Sequence, residues 1–377
     1  MSVEKKSGGA GGAPRNSGIE ALKILAIFLI IISHITQTLD TYNHLHVIDL
    51  SAASADPRLW ALMLFRSFGV LGSTIFFSCS AWYMLDSDRY SKQKWLRMVL
   101  EIWSVSILFL AIMLIARRGD LSRKDILESL SPTTHGTNWY LTCYLLFLPL
   151  HPFLNRLIRN LSRIQLFRIS LVMFVLYYGI GFLENGLFQA KEIILWITVY
   201  FVMAYLKRYK IHLIQNTRRN LTALAASLIA YAALIVIWNL LGLRYSYFRN
   251  HMIRFESFGN PFWLVCSFSL LGLAQASRLK SRAVNALSGL SLLIYILHEN
   301  LLLRTYVRPG LLDALYETFG YDSILLWVLL LALVIFALSA AGAALFRAAA
   351  ERPIQALAGK LYSLIRKQYL RFEKKVL

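Results

Sequence analysis

The most regular feature of the chain is a series of apolar runs separated by short polar segments. A run of about 20 apolar residues gives a helix that can cross about 30 Å of hydrocarbon. Ten runs approach that length, and nine or eleven also fit because the fourth and sixth are short. They cover approximately residues 18–39, 61–85, 96–115, 138–154, 166–183, 193–207, 221–241, 260–276, 285–305 and 322–346. The sequence therefore predicts an all-α, polytopic membrane helix bundle of about ten transmembrane helices.

The polar segments alternate in charge, and this alternation predicts the orientation of the chain. Basic residues concentrate at the N-terminus and in the second, fourth, sixth and eighth loops. Acidic residues occupy the first and fifth loops, as Asp40, Asp49, Asp56, Glu184 and Glu192. Cytoplasmic loops are enriched in Lys and Arg, so both termini are predicted to be cytoplasmic. The third loop fits least, because it mixes acidic residues with Arg117, Arg118, Arg123 and Lys124.

The two ends of the chain differ from the membrane portion in composition. Residues 1–17 are polar and glycine-rich, which predicts a flexible cytoplasmic N-terminus. The apolar run that follows is too long for a signal-peptide core, so it is predicted to remain as the first span of a membrane domain over residues 18–350. In residues 351–377, Ile354, Leu357, Leu361 and Ile365 share a helical face away from most basic residues. This pattern predicts a basic amphipathic cytoplasmic tail at the membrane surface, with a solvated basic tail as the alternative.

Composition narrows the class of protein further. The 377 residues are 57% hydrophobic and 16% charged, far more apolar than one soluble core requires. The formal charge of +20 comes from separate loops and not from a continuous basic stripe, which argues against nucleic-acid binding. Cys79, Cys143 and Cys266 lie singly in apolar runs, without the spacing of a disulfide framework or a zinc site. No metal is expected.

The first apolar run contains ionisable residues, which are costly to place in a membrane and are therefore functional candidates. Glu20, Lys23 and His34 all lie in it. Lys23 and His34 are separated by about three helical turns, or about 16 Å, so they share one face. Gln37 and Thr38 extend this face, which is expected to border a cavity in the bundle and not lipid. A hydrogen-bonded packing role for His34 is the alternative.

Several motifs resemble those of the membrane-bound acyltransferase-3 family, in the same order along most of the chain. Glu20 to Lys23 followed by His34 is similar to the family's acidic residue, Arg and His in the first span, with Lys23 in place of Arg. Gly69-Val70, Ile75 to Phe77 and Ser80-Ala81 are similar to its second-span signature, with Ala81 in place of Gly. Lys94-Trp95-Leu96-Arg97, Asn138 to Leu141, Asn260-Pro261 and Ser291 to His298 are similar to later motifs.

This resemblance implies an enzyme of the cell membrane, expected in bacteria, that acts without a metal. Members of the family transfer acyl groups, usually acetyl from acetyl-CoA, to hydroxyls of polysaccharides and related glycans. His34 would be the essential residue, with Lys23 and Glu20 beside it in the catalytic motif. An imidazole can take a proton from an attacking hydroxyl, or it can carry the acyl group transiently. The sequence leaves both mechanisms open.

Donor and acceptor would then meet within the membrane. Acetyl-CoA is a phosphate-rich anion, and Lys92, Lys94 and Arg97 on the cytoplasmic side are candidates to bind its phosphates, although such charges also occur simply as topology signals. The candidates for acceptor binding are Arg66, Ser80, Trp139 and His298. Trp139 fits an interfacial belt better than an acceptor site, and Glu299 and Arg304 beside His298 are typical of an approach to the outer interface.

Two functions of other classes remain as alternatives. In a secondary transporter or flippase for a lipid-linked sugar or anion, Lys23, His34, Arg66 and His298 would line the path. In a structural partner of a glycan-assembly complex, the same groups would serve helix packing alone. The ordered motifs favour the enzyme, and the sequence shows neither a strong internal repeat nor paired broken helices.

Overall fold

The protein is almost entirely helical. A computed structural model describes residues 15–42, 48–117, 120–134, 138–183 and 191–376. Within these ranges 85% of the residues are helical and none is in a strand, which confirms the all-α membrane fold. Glu184, Arg118 and most of the predicted flexible N-terminus lie outside the described residues.

The helices are numbered in chain order and include two π-helical turns and one 3₁₀ turn. They are α1 (Ser17–Thr41), α2 (Pro57–Met84), α3 (Lys92–Arg117), α4 (Arg123–Leu130), α5 (Trp139–Asn160), α6 (Arg163–Phe174), a π turn (Val175–Ile180), α7 (Gly181–Leu183), α8 (Glu192–Tyr209), α9 (Ile211–Gln215), α10 (Thr217–Arg244), α11 (Ser246–Arg249), a 3₁₀ turn (Met252–Glu256), α12 (Pro261–Ala276), α13 (Arg282–Ser288), α14 (Ser291–His298), a second π turn (Leu303–Val307), α15 (Arg308–Phe319) and α16 (Ile324–Val376).

Seven helical segments in the described residues are long and apolar enough to cross a membrane. They are α1, α2, α3, α5, α6 with its continuation to Leu183, α10 and α16. The helices α8 and α12 match the sixth and eighth apolar runs but are not among these seven. The helix α12 has only 16 residues, and α8 carries Glu192, Lys207 and Arg208. The count of about ten spans and the cytoplasmic termini stay predictions.

The ninth apolar run, 285–305, was predicted to be one continuous span, and this prediction is wrong. The segment is broken into α13, α14 and the second π turn. The carbonyl oxygens of Gly289 and His298, one at each break, accept hydrogen bonds from the guanidinium groups of Arg347 and Arg308. These side chains replace the backbone partners of a continuous helix. This segment is therefore a broken helix. The argument against a transporter that rested on the absence of broken helices no longer holds.

The last helix is longer than its apolar run. The helix α16 contains 53 residues and continues through Pro353 to Val376. The predicted tail, 351–377, is helical as far as it is described, and residue 351 does not mark a helix boundary. Arg97 in α3 contacts Glu351 at 3.0 Å, so this extension packs beside the start of α3.

The helix α1 lies at the centre of the bundle and packs most extensively on α2. It begins where the Asn16 side chain accepts hydrogen bonds from the backbone N–H groups of Gly18 and Ile19, a regular N-cap. Its contact with α2 is close because Gly69 and Gly72 present no side chain there. A Cβ at Gly72 would lie 2.5 Å from the Ala26 carbonyl oxygen and 2.7 Å from Ile30 Cγ1.

This close packing predicts that Gly72→Ala lowers the stability of the protein. The added methyl group forces α1 and α2 apart, and overpacking of this kind costs about 1–3 kcal/mol. Thermal unfolding of the purified protein in detergent measures the effect. Gly310→Ala is the matched control, because nothing lies within 4 Å of a Cβ built there. Equal melting temperatures for the two variants would contradict the close contact.

Candidate active site

A cavity of about 220 Å³ lies between α1, α2, the start of α5 and the broken α14 segment. Its polar lining comes from His34 and Gln37 of α1, Arg66 of α2, and Glu299 and Arg304 after α14. Aromatic side chains form much of the remaining wall, namely Trp139, Tyr140, Phe258 and Tyr295. The cavity thus combines ionisable groups with flat apolar surfaces, as small-ligand sites commonly do.

Three ionisable side chains meet at one end of this cavity. Nδ1 of His34 lies 2.8 Å from Glu299 Oε2 and 3.2 Å from Nε2 of His298. The two imidazole rings are stacked, with centroids 5.3 Å apart. His298 and Glu299 are buried, and His34 is partly exposed to the cavity. The cluster joins α1 to the end of α14.

The hydrogen-bond partners assign the protons of the two imidazoles. Nδ1 of His298 lies 2.9 Å from the Ile294 carbonyl oxygen, which only accepts, so Nδ1 carries the proton and Nε2 a lone pair. His34 Nδ1 faces that lone pair and the Glu299 carboxylate, so it is the donor. In the neutral form of His34 the lone pair is then on Nε2. A histidine held in this tautomer by a buried carboxylate is oriented to act as a base.

Two arginines neutralise and fix the carboxylate of Glu299. Arg304 Nη1 lies 2.9 Å from Oε1, and Arg308 Nη2 lies 3.0 Å from Oε2. Arg308 is itself buried and also donates to the His298 carbonyl oxygen. Charge-assisted hydrogen bonds of this kind restrict both partners. The two ion pairs hold Glu299 in place within the broken segment, and the hydrogen bond of Glu299 with His34 joins that segment to α1.

The donor set does not favour a metal ion. His34, His298 and Glu299 offer ligand atoms within 4.8 Å of one another. Both carboxylate oxygens, however, already accept from guanidinium groups, so an ion bound there would have to displace these hydrogen bonds. The His34–Glu299 pair is instead satisfied by hydrogen bonding.

The structure separates Glu20 and Lys23 from His34. Glu20 Oε2 accepts a 2.5 Å hydrogen bond from the Ser288 hydroxyl and lies 3.5 Å from Lys23 Nζ. Fourteen residues of helix place Glu20 about 21 Å from His34 along the axis of α1. Neither residue lines the His34 cavity. They form a polar contact between α1 and α13 at the other end of the helix.

Two of the predicted acceptor residues border the cavity and two do not. Arg66 and Trp139 are in its lining, with Arg66 ion-paired to Asp40 and the Trp139 ring 4.7 Å from that of Phe258. His298 lies behind His34 and does not itself line the cavity. Ser80 lies elsewhere on α2, where its hydroxyl donates to the Phe76 carbonyl oxygen at 3.2 Å.

The three predicted phosphate contacts lie together at the start of α3, away from His34. Lys94 is exposed, and Arg97 pairs with Glu101 at 2.8 Å as well as with Glu351. Lys92 lines a separate cleft against α16. The three residues therefore point to different faces of α3 within its first one and a half turns.

Sequence reasoning missed the catalytic candidates Glu299 and Arg308. Glu299 was interpreted as marking the outer interface, whereas it is 4% exposed and paired with His34. An acidic residue at the end of an apolar run, next to a histidine, is the signal that was available. Arg308 lies ten residues after His298. Its guanidinium group donates to the His298 carbonyl oxygen, which is free to accept because the helix is broken there.

A buried histidine–carboxylate pair at an aromatic cavity is a candidate site for group transfer or proton transfer. The family model described as "Acyltransferase domain" matches residues 16–345. The chain therefore belongs to the acyltransferase-3 family and is a membrane acyltransferase. No curated protein and no solved structure matches the chain. The family assignment favours the enzyme over the transporter and the structural partner.

Proposed function

We propose that the protein transfers an acetyl or similar acyl group from cytoplasmic acyl-CoA to a hydroxyl of an envelope or exopolysaccharide glycan at the bacterial plasma membrane. The observation that carries this proposal is the pairing of His34 Nδ1 with Glu299, which leaves Nε2 with a lone pair at the cavity. An acyltransferase needs such a base, because a sugar hydroxyl is a poor nucleophile until its proton is removed.

The reaction follows from this arrangement. The acceptor hydroxyl attacks the thioester carbonyl carbon while His34 Nε2 takes its proton, and the negative Glu299 carboxylate stabilises the imidazolium that forms. The tetrahedral intermediate then expels the CoA sulfur, which receives the proton from His34. The products are an ester and free CoA. Arg66 and Arg304 line the cavity while paired with Asp40 and Glu299, and their remaining N–H groups are the candidates to stabilise the developing oxyanion.

The same nitrogen can instead attack the thioester and carry the acyl group before the acceptor arrives. The two routes differ in one measurable species. A covalent route leaves labelled acyl group on His34 when donor is supplied without acceptor, whereas direct transfer leaves none. Mass spectrometry of rapidly quenched protein distinguishes them.

The walls of the cavity suit a sugar, and the α3 end suits a coenzyme. Trp139 and Tyr295 offer flat faces on which a sugar ring can pack. Lys94 and Arg97 lie on the predicted cytoplasmic side, where their charges can hold CoA phosphates. Because Arg97 is already bound by Glu101 and Glu351, CoA would have to displace one of these carboxylates.

Labelled acetyl-CoA supplied to permeabilised membranes that contain the protein tests the proposal. We expect alkali-labile label in a glycan fraction, since esters are cleaved by alkali. Membranes without the protein are the control. Label that stays out of every envelope glycan, with the protein verified as folded, would contradict this acceptor class.

A further inference from the structure

A second cleft, of about 300 Å³, lies where the C-terminal part of α16 packs against the start of α3. Its walls include Lys92 and Trp95 of α3 and Tyr362, Arg366 and Tyr369 of α16. The α16 residues lie beyond the family match, which ends at residue 345. One wall of the cleft is therefore formed by residues beyond the family match, and the cleft shares no lining residue with the His34 cavity.

The cleft brings together two cations, Lys92 of α3 and Arg366 of α16. In the part of the chain that the structure describes, neither forms an ion pair with a carboxylate, whereas Arg97 at the same end of α3 is paired with Glu101 and Glu351. Two uncompensated positive charges that share a cleft attract an anion from outside the protein.

The surroundings of the cleft indicate a membrane surface. Ile365 of the cleft wall is 59% exposed, and Leu370, one helical turn after Arg366, is 45% exposed. Trp95, Tyr362 and Tyr369 supply the aromatic rings that are common at headgroup depth. Aromatic, basic and exposed apolar side chains together are typical of a helix segment near the membrane interface.

We infer that this cleft binds the headgroup of an anionic phospholipid, with its phosphate between Lys92 and Arg366 and its chains along the apolar flank. The negative charge of the cytoplasmic leaflet supplies the anion that both cations lack. Coenzyme phosphates are a poorer match. At 100° per residue, Lys94 and Arg97 point about 200° and 140° around α3 from Lys92. The lipid site is thus on a different helix face from the proposed coenzyme contacts.

Lipid binding to the full-length protein tests this inference without relying on activity. The protein is purified in neutral detergent, and native mass spectrometry follows the binding of added phosphatidylglycerol or phosphatidylcholine. We expect selective binding of phosphatidylglycerol, weakened roughly 30-fold in Lys92→Gln/Arg366→Gln, since each basic residue near an anionic surface contributes about a tenfold factor or less.

Lys94→Gln/Lys367→Gln is the matched control, because it removes the same charge from adjacent positions outside the cleft. We expect it to bind phosphatidylglycerol as the wild type does. Lys92→Arg/Arg366→Lys, which retains both charges and the fold, should restore binding. Equal loss in both glutamine pairs would overturn the inference in favour of bulk charge. Binding of CoA, and not of phosphatidylglycerol, that is lost only in Lys92→Gln/Arg366→Gln would overturn it in favour of a coenzyme site.

Discussion

His34→Ala is expected to abolish acyl transfer while leaving the protein folded. Removing the imidazole removes the proton acceptor for the attacking hydroxyl, and general base catalysis of this kind contributes about 10²- to 10⁴-fold. The loss of a covalent acyl carrier would reduce the rate at least as much. Stability should change little, because Glu299 keeps its ion pairs with Arg304 and Arg308. Initial rates of label transfer from acetyl-CoA, normalised to the amount of inserted protein, measure the effect.

His212→Ala is the matched control for this experiment. His212 is an exposed histidine of α9 and does not line the cavity. The control should transfer acyl groups at the wild-type rate. A His34→Ala protein with that rate would remove His34 from the reaction and leave it as a packing residue.

Glu299→Gln should have the second largest effect, although residue 299 is expected to touch neither substrate. The amide keeps the shape of the carboxylate but not its charge, so it neither fixes the Nδ1–H tautomer of His34 nor stabilises the imidazolium. Loss of the equivalent charge in other histidine–carboxylate pairs lowers turnover by up to about 10⁴-fold. We expect a fall in kcat of about 10²- to 10⁴-fold with a much smaller change in KM for the donor.

The same substitution also leaves Arg308 buried without a negative partner. Breaking a buried ion pair costs up to about 3–5 kcal/mol, so the melting temperature should fall as well. Glu317→Gln is the control, because Glu317 is exposed on α15. Rates measured well below the melting temperature separate the two effects. A folded Glu299→Gln protein with wild-type kcat would show that the carboxylate only holds the helices together.

The apolar pattern of the sequence predicted most of the helices, because lipid-spanning segments must be both long and apolar. It did not predict the break in the ninth run. There the carbonyl oxygen of Gly289 accepts a hydrogen bond from Arg347, 58 residues away, and that of His298 accepts one from Arg308, ten residues away. Hydropathy reports which residues suit lipid, and it carries no information about such side-chain partners.

The polar face of α1 predicted a cavity bordered by His34, and the structure has such a cavity. The same prediction placed Glu20 and Lys23 in the site, and neither residue lines the cavity. Helical periodicity fixes the angle of Glu20, Lys23 and His34 around the axis, whereas the neighbours at each height are set by packing. At the His34 level the neighbour is Glu299, and at the Glu20 level it is Ser288. One face of one helix therefore serves two separate contacts.

For the C-terminal tail, the sequence predicted a helix but did not predict that this helix packs beside α3. The spacing of Ile354, Leu357 and Leu361 predicts an amphipathic helix, and α16 is helical there. Pro353 removes one backbone donor without ending the helix. The contact of Arg97 with Glu351 depends on the length of α16, so neither the sequence pattern of α3 nor that of the tail predicts it.

A structure determined with a non-transferable acetyl-CoA analogue tests the central claim most directly. The account predicts that the acyl carbonyl lies in the cavity bordered by His34, Trp139 and Tyr295. It should leave room for an acceptor hydroxyl about 2.6–3.2 Å from His34 Nε2. An analogue whose acyl group lies outside this cavity, with His34 still paired to Glu299, would contradict the account.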